Sequence, residues 1–245
     1  MKVIYLEKSQ IEKEMAKVFI EKVKENPKCV LGLATGSSPL GIYKNIIEAV
    51  KNGEVSFKDV TTFNLDEYLG LDGAHDQSYR YFMNHNLFNH IDINKENTHV
   101  PSGFVKDDNE AAEYDAMILA AGGIDIQLLG LGSDGHIAFN EPNTPFDSLT
   151  HIAELTEQTI SDNARFFERI EDVPTRKLGQ IAKEMGLKSI MNAKKIILIA
   201  TGKSKKMAVE QLISGEINEA WPCTILRNHP DVVIYVDKEI EIAGL

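Results

Sequence analysis

The sequence predicts an α/β protein of one domain: a mostly parallel sheet flanked by helices, Rossmann-like in outline but without a dinucleotide site. Three observations predict it. Short apolar runs such as CVLGL, IDIQLL, KIILIA and VVIYV suit strands buried on both faces of a parallel sheet. Amphipathic helical stretches alternate with these runs. The 245 residues contain no internal repeat and no low-complexity linker, so a single domain over 1–245 is the simplest division.

The elements follow in order. Residues 3–6 read as a short strand. Ser9-Gln10-Ile11-Glu12 matches a capping box, and Ile11, Met15, Val18, Phe19 and Val23 continue at helical spacing. Asn26-Pro27 ends that helix. Residues 29–33 form the next strand, and Ser38 before Pro39 reads as an N-cap with proline in the first turn. Ile42, Tyr43, Ile46, Ile47 and Val50 give the following helix. A strand over 60–65 runs into an irregular acidic loop, DEYLGLDGAHDQS, with a helix from about Ser78. Another helix covers 108–120, and a strand covers 124–129. A strand over 195–200 is followed by the turn TGKSKK and a helix over about 207–213. The last strand is 232–236. The polar, less regular stretch over about 159–188 is expected to form a mobile lid.

Composition narrows the partners. Lys plus Arg number 26 against 37 Asp plus Glu, a formal net charge of −11. So acidic a chain is poorly suited to nucleic acid or an anionic membrane, although a local site can still oppose the overall sign. The two cysteines, Cys29 and Cys223, are far apart and show no metal spacing, which points to a reducing compartment without a disulfide framework. The N-terminus lacks the apolar run of a signal peptide, and no stretch has the roughly 18 apolar residues of a membrane span. The expected location is the cytoplasm.

In a parallel sheet, ligands bind beyond the C-terminal ends of the strands. Four loops fall there, and they hold most of the chemistry-bearing residues. Thr35-Gly36-Ser37-Ser38 precedes a helix, where backbone N–H groups and hydroxyls suit an anion; an ordinary serine-capped turn would read the same way. Asp66-Glu67-Tyr68 puts two carboxylates at a strand end. Neighbours on an extended chain point to opposite faces, so at most one of them faces a pocket.

The third loop, LGLGSDGHIAFNEP, spells G-x-G-x-x-G with Gly130, Gly132 and Gly135. A dinucleotide fingerprint opens directly into a helix. The continuation HIAFNEPNTP cannot, so that reading fails. What remains is Asp134, His136 and Glu141, a histidine flanked by carboxylates that fix its tautomer and raise its basicity. The fourth loop, Thr201-Gly202-Lys203-Ser204-Lys205-Lys206, places cations at a helix start, which is unfavourable unless an anion sits there; alone it reads as a solvated charge run. His75, His85, His90, His99, His151 and His229 show no metal spacing, and Trp221 is most simply core.

VTTFNLDEYLGL, QSYRYFM, LGLGSDGHIAFNEP and NARFF together resemble the isomerising glucosamine-6-phosphate deaminase family. The similarity extends from CVLGLATGSSP to HPDVVIYVD. The 6-phosphogluconolactonases share the D-G-H loop but usually continue with a Ser-Leu-Phe-Pro type stretch, whereas this chain continues Ala138-Phe139-Asn140-Glu141-Pro142. The resemblance implies that glucosamine 6-phosphate and water give fructose 6-phosphate and ammonia, with no metal or organic cofactor. It implies that His136 moves a proton between O1 and O5 as the sugar ring opens. Asp134 and Glu141 would orient and tune it, and Asp66 would carry a proton from C2 to C1 through an enolamine. It further implies a phosphate site of Gly36, Ser37, Ser38, Arg165 and Lys205.

The chain departs from that family in three places. Between Val173-Pro174 and KIILIA it has LGQIAKEMGLKSIMNA, with extra residues and Lys188 where a small residue is common. This leaves open a preference for another hexosamine phosphate, such as galactosamine 6-phosphate. Where hexameric, allosterically activated members carry basic residues after F-N-E-P, this chain has His151 and Ala153, and it stops early at Leu245. A monomer or weak homo-oligomer without activation by N-acetylglucosamine 6-phosphate is expected. Lys203 and Lys206 beside Lys205 leave the register of the phosphate lysine open. The alternatives to the deaminase are a 6-phosphogluconolactonase and a non-catalytic sugar-phosphate sensor.

Overall fold

The computed structural model of the protein describes residues 1–154, 161, 181–184 and 186–245, with 181–184 described by backbone alone. In chain order the elements are β1 (Lys2–Leu6), α1 (Lys8–Glu25), β2 (Val30–Leu33), α2 (Leu40–Lys51), β3 (Thr61–Asn64), β4 (Asp66–Tyr68), α3 (Tyr79–Asn86), β5 (Thr98–His99), α4 (Asp108–Ala120), β6 (Ile126–Gly130), β7 (His151–Glu154) and β8 (Ile181–Glu184). A helix over Leu187–Met191 leads to β9 (Lys195–Ala200), a helix over Lys206–Ser214 follows, and β10 (Val232–Asp237) closes the fold.

Seven strands form one sheet in the order β1-β10-β9-β6-β2-β3-β5, and every neighbouring pair is parallel. The uninterrupted apolar runs explain this arrangement. All residues of β2 and β10 are buried, as strands covered on both faces must be. The helices supply the cover: α1 turns Ile11, Met15, Phe19 and Val23 inward and packs on α2 and β10.

The strand order sets the position of any binding site. From β2 the chain steps outward through β3 to β5. It then returns to the other side of β2 with β6 and proceeds the opposite way through β9 and β10. The connections leaving β2 and β6 therefore diverge, and a crevice opens above their C-terminal ends. The seam is tightly held. Val30 N–H donates to Asp125 Oδ2 at 2.8 Å, Asp125 N–H donates to the Val30 carbonyl at 2.8 Å, and Lys194 Nζ donates to Asp125 Oδ1 at 2.7 Å. Two residues along, Gly32 pairs with Gln127. A methyl group on Gly32 would lie 2.1 Å from Gln127 Oε1, so the fully buried glutamine rests in the space the glycine leaves.

Three local expectations are corrected. The N-terminal cap of α1 lies two residues earlier than Ser9: Glu7 is the cap residue, and its N–H bonds to Gln10 Oε1 at 3.3 Å. Ser38 does not cap α2; the helix opens at Leu40 with Pro39 in the cap position, and a proline ring offers no acceptor to the first-turn amides. Asp66–Tyr68 is a strand rather than loop. It joins a second sheet, β4-β8-β7, antiparallel throughout. Its partner lies more than a hundred residues downstream, so no local pattern announces the pairing. Of the stretch expected to be a lid, 181–184 belongs to this sheet and Leu187 opens a helix; the rest, apart from Ser161 and Gly186, lies outside the described residues.

Gly32→Ala is expected to destabilise the protein by about 1–3 kcal/mol, because buried Gln127 has nowhere to move. Adding Gln127→Ala to that variant should recover part of the loss. Urea unfolding midpoints of the two single variants and the double variant check this: strictly additive losses would show that the two residues do not compete for one space.

Candidate active site

The crevice is a cleft of about 1120 Å3, open mouth included, lined by Gly36, Ser37, Ser38, Asp66, His136 and Lys205 among others. Six sequence-expected site residues thus border one space. Asp134 and Glu141 stand beside His136, and Arg165 lies outside the described residues.

Part of the lining has the features that suit an anion. Beyond β2 the chain turns sharply at Gly36, whose φ is 91°. Nothing lies within 4 Å of where its side chain would be, so its backbone faces open space. Tyr43 of α2 braces the approach, with its hydroxyl donating to the Ala34 carbonyl and accepting from Ala34 N–H. The first turn of α2 follows directly, and its partial positive charge favours an anion. Lys205 is half-buried and lines the cleft, while Lys203 and Lys206 are exposed.

Another part of the lining is built around His136. Gly132 N–H bonds to the His136 carbonyl at 2.9 Å, closing the loop into a tight turn. The imidazole then lies over Gly132, where a methyl group would come within 2.2 Å of His136 Nδ1. Gly135 adopts φ 86° with the Trp221 ring packed against it, so a side chain is excluded there. Trp221, expected in the core, is half-buried and serves as the floor of this loop. A second turn over 137–140, with Ala138 at φ 56° and Asn140 N–H bonded to the Ile137 carbonyl at 3.1 Å, brings Glu141 back toward the ring.

Asp134 Oδ1 lies 2.7 Å from His136 Nδ1 and also accepts the His136 backbone N–H at 3.1 Å. Glu141 Oε2 is 4.0 Å from the same nitrogen. Burial alone would lower the proton affinity of His136. The hydrogen bond and charge of Asp134, joined by the charge of Glu141, outweigh it and hold the imidazole above its ordinary pKa, while Lys205 acts in the opposite direction. For Asp134, burial raises the pKa, but the bond to His136 and its charge bring the net value below the usual carboxylate range. Ligand atoms of Asp134, His136 and Glu141 lie within 4.8 Å of one another, close enough to raise the question of a metal. Ligand atoms about 2.1 Å from a tetrahedral ion stand about 3.4 Å apart. The 2.7 Å Asp134–His136 contact is a hydrogen bond, so the set fits proton transfer better than cation binding.

A search of protein families matches residues 7–234 to the glucosamine-6-phosphate isomerases/6-phosphogluconolactonase family. The chain belongs to that family. Among its relatives, a glucosamine-6-phosphate deaminase of Thermoanaerobacter pseudethanolicus is 50% identical over 97% of this chain and 92% of its own. One from Mycoplasma mycoides subsp. mycoides is 52% identical over 97% and 95%. A solved monomeric glucosamine-6-phosphate deaminase superposes with a TM-score of 0.93 at 40% identity, covering 98% of both chains. The 6-phosphogluconolactonase of Thermotoga maritima shares the fold, with a TM-score of 0.74 at 20% identity over 96% of this chain and 99% of its own.

Within this family frame, β4 separates the two adjacent acids as strand alternation requires. Asp66, 6% exposed, borders the cleft. Glu67 turns away and accepts N–H bonds from Tyr68 and Tyr79 at 2.9 Å and from Arg80 at 3.0 Å. Three cleft-lining rings escaped the sequence reading. Tyr68, Tyr79 and Phe139 come from β4, α3 and the His136 loop, with centroids 4.9 to 5.8 Å apart. Their spacing in the sequence carries no periodic signal; only the convergence of a strand, a helix and a loop reveals them.

Asp134→Asn removes the charge that favours the imidazolium, so the pKa of His136 should fall. Read by NMR, the His136 titration is expected to move to lower pH. A His136 titration that did not move would mean that Asp134 does not govern its protonation.

Proposed function

We propose that this protein is a glucosamine-6-phosphate deaminase, converting glucosamine 6-phosphate and water to fructose 6-phosphate and ammonia. The observation that carries the proposal is that Asp66 and a carboxylate-braced His136 border the same cleft as Gly36, Ser37, Ser38 and Lys205. Relatives at 50% and 52% identity over nearly the whole chain bear that name.

The phosphate is held by the Gly36–Ser38 turn and the start of α2, with Lys205 as a point charge and Arg165 as a planar fork. His136 accepts a proton from one sugar oxygen and returns one to the other as the ring opens; Asp134 keeps its tautomer and Glu141 adds negative charge. Asp66 removes the C2 proton of the open-chain aldehyde and delivers a proton to C1. The enolamine formed in between becomes a C2 imine, which water hydrolyses with loss of ammonia. A histidine for oxygen protons and a carboxylate for a carbon acid are two roles in two environments. Metal and organic cofactors take no part, and the working unit is a monomer or weak homo-oligomer acting in the cytoplasm. Among the described residues no helix is long and apolar enough to cross a membrane.

Purified protein supplied with glucosamine 6-phosphate is expected to release ammonia and fructose 6-phosphate in equal amounts, before and after exhaustive chelation. Galactosamine 6-phosphate as the sole active substrate would relocate the specificity, and hydrolysis of 6-phosphogluconolactone without ammonia release would overturn the proposal. Asp66→Asn should lower kcat about 10²- to 10⁴-fold, the usual contribution of a positioned acid–base group, with KM nearly unchanged. A large rise in KM at near-normal kcat would assign Asp66 to binding instead. Saturation curves should remain hyperbolic with or without N-acetylglucosamine 6-phosphate.

A further inference from the structure

We infer that Glu67 is a positioning residue for proton transfer at C2, holding Asp66 and the aromatic wall of the cleft in one register. This rests on the role proposed above for Asp66. Glu67 is 2% exposed, and both of its carboxylate oxygens are committed to backbone. Oε1 accepts from Tyr68 and Tyr79, and Oε2 accepts from Arg80. These donors belong to two elements. Tyr68 follows Glu67 on β4, while Tyr79 and Arg80 open α3, whose cap residue Ser78 separately accepts from Tyr81 N–H at 3.0 Å. One carboxylate therefore ties the strand that carries Asp66 to the first turn of a helix.

That turn is anchored and functional at once. The Arg80 guanidinium donates to Thr98 Oγ1 and to the Thr98 carbonyl, both at 2.8 Å, fixing α3 to edge strand β5. Tyr79 lines the cleft and stacks with Phe139, which stands in the His136 loop. A displacement at Glu67 therefore reaches Asp66 directly through β4 and the His136 loop through Tyr79 and Phe139. An oxygen-to-NH2 exchange is enough to cause one, because the amide would set its own N–H groups against one of these backbone donors.

The test compares Glu67→Gln and Glu67→Asp with the unchanged protein, using glucosamine 6-phosphate carrying hydrogen or deuterium at C2. Glu67→Gln is expected to lower kcat about 10- to 100-fold, as a misplacement near 1 Å would, with KM changed less than about threefold. The C2-deuterium effect on kcat should be at least as large as in the unchanged protein, which places the slow step at proton abstraction. Glu67→Asp keeps an acceptor-only carboxylate and should recover part of the rate; it also carries the test should Glu67→Gln not fold. Unaltered kcat, a smaller isotope effect, or a loss confined to KM would each overturn the inference. Failure of the unchanged protein to release ammonia would instead overturn the activity on which it rests.

Discussion

The reversal of strand order between β2 and β6 is the constraint on which the rest depends. Because the chain leaves these two adjacent strands in opposite directions, no helix can cover the ends of both, and a cleft is unavoidable. The seam beneath it is held by a backbone bond from Asp125 to Val30 and by the Asp125 carboxylate, which accepts from Val30 N–H and from Lys194. The Gly36 turn leaves one side and the His136 loop leaves the other. Their separation is thus fixed by the 4.7–4.9 Å spacing of neighbouring strands, not by flexible contacts between loops.

That rigidity suits a molecule whose charges conflict. The chain carries a formal −11, yet part of the cleft lining presents a lysine, a helix start and exposed amides. The conflict is eased by what the acids face. Asp134 and Glu141 are turned toward His136, so their negative charge stabilises the imidazolium. The pair is coupled to folding with opposite signs at its two limits. The lowered pKa of Asp134 contributes stability above the ordinary carboxylate range, lost as pH falls through the folded value. The raised pKa of His136 contributes stability below the ordinary imidazole range, lost as pH rises through the folded value. The ion pair is therefore strongest between these limits.

Much of this could be read from the residues. The parallel sheet was legible because KIILIA and VVIYV have no alternation to suggest an exposed face, and the four strand-end loops followed from that. The Asp134–His136–Glu141 group was legible because it is local and its glycines are required by two close approaches. The small sheet was not, since β4 finds its partner β8 across more than a hundred residues, and short extended segments carry no record of distant pairing. The starts of α1 and α2 were misplaced by one or two residues because several nearby side chains could each act as a cap, and only packing chooses among them.

The adjacent acids Asp66 and Glu67 show how the same physics yields both chemistry and architecture. Strand alternation must send one to each side of β4. On the cleft side a buried carboxylate can abstract a proton; on the other, a buried carboxylate would be costly if left unsatisfied. The first turn of α3 supplies what it lacks, because helix starts have amides without intrahelical acceptors. The need of the helix and the need of the acid are met by the same bonds. Burial still pushes the pKa of Glu67 upward against the N–H bonds from Tyr79, Arg80 and Tyr68 that oppose it. A carboxylate held at that cost is one whose removal strands three backbone donors at once, that of Tyr68 on β4 and those of Tyr79 and Arg80 at the start of α3.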